Sequence, residues 1–334
     1  MAELRDRAAG ALFGLAIGDA LGMPTEGLPR AEVRRRWGWL TGYEPAPDDQ
    51  PIARGLPAGS VTDDTEQALI VARLLLAGAG HVDAHALADE LTAWEERMRA
   101  RGSLDLLGPS TRRALESVKA GEPVSQTGRL GSTNGAAMRI APVGVATPLE
   151  PLAGLVQRVV EASAVTHSTG VALAGAAAVA AAVSAGVGGS CVHDAVLAGR
   201  RAAEAAAQRG HWVAAADVGA RIGWATDLVR GRAPTDAADD VVRLVGTSLA
   251  TQESVPAAFA VVAAHPADPW HGCLFAASLG GDADTIAAMA GAILGACHGA
   301  SAFPVAAREV VEAVNDLDLV AVADDLLTLR GRTG

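Results

Sequence analysis

Two acidic segments, Val61-Thr62-Asp63-Asp64-Thr65-Glu66 and Gly280-Gly281-Asp282-Ala283-Asp284-Thr285, stand far apart in the chain, each at the mouth of an apolar, helix-patterned run. Each offers paired carboxylates and a threonine hydroxyl. If the fold brings them together, four carboxylates and two hydroxyls converge, a self-repelling set unless a cation neutralises it. That is the chemistry of a hard-metal site built from two helix ends. The same residue types also cap helices, since Thr and Asp are favoured N-caps and acidic side chains suit the positive end of a helix. A cap uses one side-chain oxygen, whereas these segments supply several, and Gly280-Gly281 permits close backbone approach. Capping and metal binding both stand at this level and can coexist.

The elements that must position these groups are helices. Apolar residues recur at spacings of three and four through Ala11 to Ile17, Ala68 to Leu76, Leu87 to Met98, Leu155 to Ala164, Val171 to Val187, Ala214 to Val229, Val255 to Ala264 and Ile286 to Cys297. Alternating β-branched runs are nearly absent and alanine, the strongest helix former, dominates. Breaks fall at Gly121-Glu122-Pro123, Thr147-Pro148, Ala233-Pro234, His265-Pro266 and Phe303-Pro304. The expectation is an all-α protein of roughly a dozen helices. It is read as one compact domain over residues 1–334 with a central Ala-rich helix, in which Gly170, Ala174 and Ala178 let helix axes approach closely. The Pro/Gly-rich stretch from Gly42 to Pro51 reads as a loop inside that domain, and no short repeat is found.

A formal net charge of −11 argues against a general nucleic-acid binder. The one basic cluster, Arg34-Arg35-Arg36, reads as a solvated helix face. Cys191, Cys273 and Cys297 are odd in number and lack metal-ligand spacing, so a disulfide framework and structural zinc are set aside and a cytoplasmic location is expected. Thr169 to Gly188 carries no charge and is long enough to span a bilayer, but it is mostly Ala and Gly. It and the N-terminal apolar run are read as buried helices, with no membrane partner. Nothing in the sequence sets the oligomeric state; a monomer is the default.

Five ordered motifs carry a resemblance. Gly14-Leu15-Ala16-Ile17-Gly18-Asp19-Ala20-Leu21-Gly22 with Glu26, Thr62-Asp63-Asp64-Thr65, Thr133-Asn134-Gly135-Ala136-Ala137-Met138-Arg139, Thr166-His167 and Gly280-Gly281-Asp282-Ala283-Asp284-Thr285 come in the order of the ADP-ribosylglycohydrolase family, which includes the enzyme that removes ADP-ribose from dinitrogenase reductase. The match runs from residue 10 to about residue 305.

The resemblance implies a compact all-α protein with two adjacent Mg²⁺ or Mn²⁺ ions in a cleft. It implies ligation by Thr62, Asp63, Asp64, Asp282, Asp284 and Thr285, and a substrate-binding set of Arg129, Gly131, Ser132, Thr133, Asn134, Gly135, Met138 and His167. On the residues alone, the loop from Arg129 to Gly135 reads as an ordinary polar loop, His167 as a cap or core hydrogen-bonder, Glu26 as a solvated glutamate and Arg139 as a buried structural cation paired with a carboxylate. Asp19 is read as stabilising local structure, and Gly22 and Gly27 as available hinges beside Glu26. The chain departs from a common family pattern after His167, where Ser168-Thr169-Gly170 stands in place of a second histidine and a proline.

The implied reaction is hydrolysis of the glycosidic bond between the distal ribose of ADP-ribose and a protein side chain or small conjugate, by a metal-activated water. Asp63, Asp64 and Glu26 are the candidate proton carriers. The alternatives are hydrolysis of another ribosylated metabolite, or binding of ADP-ribose without catalysis. With only 3% aromatic residues, no adenine-stacking residue is singled out among Trp37, Trp94, Trp212, Trp224 and Trp270, which read as packing residues.

Overall fold

The computed structural model describes residues 2–103 and 107–333. Among the described residues there are eighteen α-helices and no sheet, only two isolated β-bridges, Thr133 with Ala250 and Thr169 with His211. Twelve of the helices run eleven residues or more, in line with the dozen expected from apolar spacing. Most of the others are single-turn or two-turn pieces such as Gly135–Met138 and Ala141–Ala146, too short for periodicity to reveal.

The Ala-rich helix, Gly170–Val187, is buried at every residue, the expected fate of a helix with no polar face. Thr169 caps it by accepting from the Ala172 N–H at 3.3 Å. This helix and the N-terminal one, Ala2–Gly22, are long and apolar enough to cross a membrane; in the structure both are packed inside the protein.

The closest helix pair positions the site. Gly10, Gly14, Gly18 and Gly22 recur every four residues along one stripe of the N-terminal helix. That stripe lies antiparallel against the helix Ala283–His298. A Cβ added at Gly10 would fall 2.3 Å from Gly295 O, at Gly14 2.0 Å from Gly291 O, at Gly18 2.1 Å from Ala287 O and at Gly22 2.3 Å from Asp284 Cα. The partner's glycines answer them, with a Cβ at Gly291 meeting Gly14 O at 2.0 Å and one at Gly295 meeting Gly10 O at 1.9 Å. Backbone therefore packs on backbone, and the register fixes Asp19 and the end of the first helix beside the start of the second. The Ala-rich helix is also approached closely, as its small residues suggested: a Cβ at Gly170 would fall 2.6 Å from Ala207 O at the end of the Val192–Ala207 helix, and one at Gly199 of that helix 2.9 Å from Ala178 O.

Gly14→Ala is expected to lower stability by about 1–3 kcal/mol, because the methyl group has nowhere to go in a core that relaxes only partly. Gly154→Ala, on an exposed helix position where the nearest atom to the new Cβ is Pro151 Cγ at 3.8 Å, is expected to be neutral or slightly stabilising. Urea unfolding of the two variants makes the comparison; equal stabilities would remove the backbone-packing account.

Candidate active site and metal centre

The first acidic segment is held by Asp19. Its fully buried carboxylate accepts from the Thr62 N–H, 3.1 Å from both oxygens, and from Thr62 Oγ1 at 2.8 Å. It also accepts from the Thr65 N–H at 3.1 Å and from Thr65 Oγ1. The helix Asp63–Ala77 thus has N-terminal donors satisfied by a carboxylate from another helix, with Thr62 as its N-cap. The local stabilising role read for Asp19 stands, and its target is the metal-motif helix itself.

The second segment is held by backbone. Gly280 and Gly281 adopt φ of 75° and 70°, the left-handed region, and a Cβ would collide with Leu28 O at 2.5 Å or Thr247 O at 2.3 Å. The Gly281 N–H donates to Leu28 O at 2.9 Å, Gly281 O accepts from the Gly27 N–H at 2.7 Å, and the Asp282 N–H donates to Thr247 O at 2.8 Å. Asn134 Nδ2 donates to the Asp282 carboxylate and, at 3.0 Å, to Ser254 Oγ.

The two segments do meet. Thr285 Oγ1 donates to Asp64 Oδ2 at 3.1 Å. Carboxylate oxygens of Asp19, Asp64 and Asp284 lie within 4.8 Å of one another, as do those of Glu26, Asp282 and Asp284. Asp284 belongs to both triads. Asp63 belongs to neither; it is half-buried, lines the cleft, and accepts from Gln67 Nε2 at 2.7 Å.

Burial dominates the electrostatics. It pushes the Asp19 and Asp282 carboxyls up to about 6, against the opposing hydrogen bonds from Thr65 and Thr62 and from Asn134 and Thr285 respectively. Asp64 is raised well above the ordinary carboxylate range, first by burial and then by the charges of Asp284, Asp19, Asp63 and Asp282. Asp64 Oδ1 is buried without a hydrogen-bond donor. Carboxylate and hydroxyl oxygens from two helix ends, one of them orphaned, fit a hard divalent cation.

Four of the carboxylates, Glu26, Asp63, Asp282 and Asp284, open onto a cleft of about 220 Å³ lined also by Thr285, Thr133, Asn134, Gly135 and Met138, whereas Asp64, expected as a ligand, and Asp19 are buried and do not line it. The other members of the expected substrate loop do not line it. Arg129 is exposed, and Gly131 packs its backbone against Thr166 O, where a Cβ would fall 2.1 Å away. Ser132 turns its carbonyl to Thr251 Oγ1 at 2.9 Å. His167 is fully buried behind Thr133, with Nε2 3.0 Å from Thr133 Oγ1. Thr62 is turned toward Asp19 and borders a neighbouring cavity. Gly22 and Gly27 are clamped by Asp284 and Gly281, which corrects the reading of them as hinges.

Sequence reasoning missed Thr111, Arg112, Ile52 and Leu249, which complete the wall from loops and a separate helix. Arg112 is the basic residue among the described lining residues; its NH2 donates to Leu107 O at 2.9 Å and its Nε lies 3.8 Å from Glu95 Oε1. No aromatic ring is among the described lining residues. Trp94, one of the tryptophans weighed for adenine stacking, is buried with its Nε1 on Glu66.

The family model described as ADP-ribosylglycohydrolase matches residues 1–334. The chain is 36% identical to the uncharacterised protein YegU of Escherichia coli (strain K12) across 97% of both chains. It is 31% identical to the ADP-ribosyl-[dinitrogen reductase] glycohydrolase of Rhodospirillum rubrum across 50% of this chain and 53% of that one. Among solved structures, an ADP-ribosylglycohydrolase-related protein complex superposes with a TM-score of 0.71 at 27% identity, covering 98% of this chain and 99% of its own.

The raised carboxyls set a pH dependence for the protein in chelator. A native pKa above the unfolded value favours the protonated native state, so this contribution is fully present below about 4 and is lost as pH rises through about 6. Asp282→Asn removes one such group and is expected to raise the chelated protein's Tm at pH 7.5 relative to wild type, with little effect at pH 4.5. Mg²⁺ or Mn²⁺ is expected to raise the wild-type Tm most at pH 7.5. Thermal scans across pH check both; a chelated wild type equally stable to the variant at pH 7.5 would contradict the burial argument.

Proposed function

The chain belongs to the ADP-ribosylglycohydrolase family, enzymes that hydrolyse ADP-ribose linkages, and we propose that it does so with divalent cations held by Asp64, Asp282, Asp284 and Thr285, joined by Asp63. The observation that carries the reading is the pair of carboxylate triads sharing Asp284, of which Glu26, Asp282 and Asp284 line the cleft while Asp19 and Asp64 are buried outside its lining. Two triads with a common member suit two neighbouring cations, magnesium or manganese. When bound, such ions supply Lewis acidity and positive charge toward a sugar diol and the attacking water.

The chain's own residues do the rest. Pockets for whole ligands run from about 300 to 1,000 Å³, so the 220 Å³ cleft takes one end of ADP-ribose, the distal ribose, and leaves the remainder to the rim. Thr133, Asn134 and Gly135 face that ribose, with Asn134 tied to Asp282 so that loop and carboxylates keep one geometry. Arg112 supplies the charge-assisted contact to the diphosphate. Cleavage through an oxocarbenium-like state requires a proton delivered to the leaving group and one taken from water. Among the described lining residues, Glu26 and Asp63 are the carboxylates that stand half-buried while Asp282 and Asp284 are buried, and we assign the proton work to them. Asp64, buried and contacted by Thr285, is kept as a ligand. The acceptor is an ADP-ribosylated protein side chain or a small conjugate, in keeping with the relative named for acting on dinitrogen reductase.

The test is release of free ADP-ribose from arginine-, serine- and acyl-linked conjugates with Mg²⁺, with Mn²⁺ and with chelator. Release that requires the cation and falls by at least about 100-fold in Asp282→Asn, at or beyond the upper end of what an outer partner of a ligand contributes, is expected. A folded, cation-loaded protein that releases ADP-ribose from none of them would overturn the assignment of acceptor class.

A further inference from the structure

Behind the cleft lies a buried cation outside the roles assigned so far. Arg139 is fully buried, yet its guanidinium meets no carboxylate directly among the described residues. NH1 donates to Gln67 Oε1 at 3.0 Å, and NH2 donates to Thr166 Oγ1 at 2.6 Å. Each partner passes the contact on toward the site. Gln67, whose amide oxygen is occupied by Arg139, must turn its NH₂ the other way, and Nε2 donates to Asp63 Oδ2 at 2.7 Å. Thr166 accepts from Arg139, and because its hydroxyl lies 2.8 Å from His167 Nδ1 against 3.4 Å from Ser163 O, we assign it as the donor to Nδ1. With Nδ1 accepting, the imidazole carries its hydrogen on Nε2 and donates to Thr133 Oγ1 at 3.0 Å, which leaves the Thr133 hydroxyl hydrogen for the cleft.

We infer that Arg139 is a positioning residue that sets both halves of the site at once: through Gln67 it orients the Asp63 carboxylate, and through Thr166 and His167 it orients the Thr133 hydroxyl. Only a planar, permanently charged fork makes both contacts from one buried position; a lysine would make one or the other. The chain of contacts also gives Gln67 and Thr166 separable duties, Gln67 on the carboxylate side and Thr166 on the ligand-loop side. The inference rests on the proposed function for the identity of the ligand, ADP-ribose, and of the cation.

The experiment is calorimetric titration of Mn²⁺, and of ADP-ribose at saturating Mn²⁺, into wild type, Gln67→Met, Thr166→Val, Arg139→Lys and Arg139→Met, each shown folded by circular dichroism. Gln67→Met is expected to weaken Mn²⁺ binding by about 10- to 100-fold, the usual effect of losing an outer partner of a ligating group. Thr166→Val is expected to weaken ADP-ribose by about 3- to 10-fold, the loss of one net hydrogen bond, while leaving Mn²⁺ unchanged. Arg139→Met weakens both, and Arg139→Lys restores at most one. A merely structural arginine would lower Tm and leave both affinities alone. Wild-type affinities in Gln67→Met and Thr166→Val overturn the inference even if neither Arg139 variant folds. If wild type binds Mn²⁺ but not ADP-ribose, the functional reading fails by itself, and the Mn²⁺ arm with Gln67→Met still decides for or against Arg139. A wild type that binds neither ligand overturns both.

Discussion

The contact on which the rest of the structure depends is the glycine-to-glycine packing of the N-terminal helix on the helix Ala283–His298. With carbonyl oxygens where side chains would otherwise stand, the two helices can hold only the register seen, in which Gly22 touches Asp284 and Gly10 touches Gly295. That register brings Asp19 beside Asp284. Asp19 in turn gathers the start of the Asp63–Ala77 helix through Thr62 and Thr65, so a third helix is placed by the same contact. Three carboxylates from three helices then lie within 4.8 Å, although no ordinary folding force favours such a cluster. Packing of apolar surface elsewhere in the core must hold it together.

The charge distribution follows from that compulsion. Asp64 and Asp282 are buried where their ionised forms are disfavoured, and Asp64 faces other carboxylates as well. The buried cation nearest this set in the hydrogen-bond pattern, Arg139, is one amide removed from Asp63, and burial lowers its own pKa to about 10. A direct ion pair at Arg139 would neutralise a carboxylate that the cleft needs charged. The interposed Gln67 transmits orientation while leaving the negative charge for a cation. Because Gln67 and Thr166 accept from different nitrogens of Arg139, the two arms can be altered one at a time.

How much of this was legible depended on whether a feature was local. Thr62, Asp63 and Asp64, and Asp282, Asp284 and Thr285, announce themselves because capping residues in surplus at a helix mouth are a short-range pattern, and the helices behind them follow from apolar spacing. The convergence of the two segments came from the family resemblance, since spacing alone does not bring together residues so distant in sequence. Arg112 was invisible because it occupies a helix with no motif and comes to the cleft wall only through the tertiary arrangement; Arg129, adjacent to the motif in sequence, is exposed and is not among the described lining residues. The glycine stripe was legible in principle. Gly10, Gly14, Gly18 and Gly22 repeat every four residues, as do Gly291 and Gly295, but the repeat by itself does not say which helix each stripe faces.

Rigidity at the cleft has the same origin. The segment carrying Glu26 follows directly from the packed end of the first helix, and it is stitched to the Asp282 loop by the Gly27 to Gly281 and Gly281 to Leu28 backbone bonds. Gln50 Nε2 adds a bond to Glu26 O at 2.9 Å from the loop below. Glu26 therefore moves with Asp282 and Asp284, and the triad it forms with them is a property of the backbone more than of side-chain choice. A site whose carboxylates share one backbone unit loses little entropy on taking up a cation, because the groups are already arranged. The rest of the wall comes from other elements, Thr111 and Arg112 from the helix Pro109–Lys119 and Ile52 and Leu249 from loops, and the Leu249 carbonyl is coupled to the carboxylates through Asn134, whose N–H it accepts at 3.0 Å.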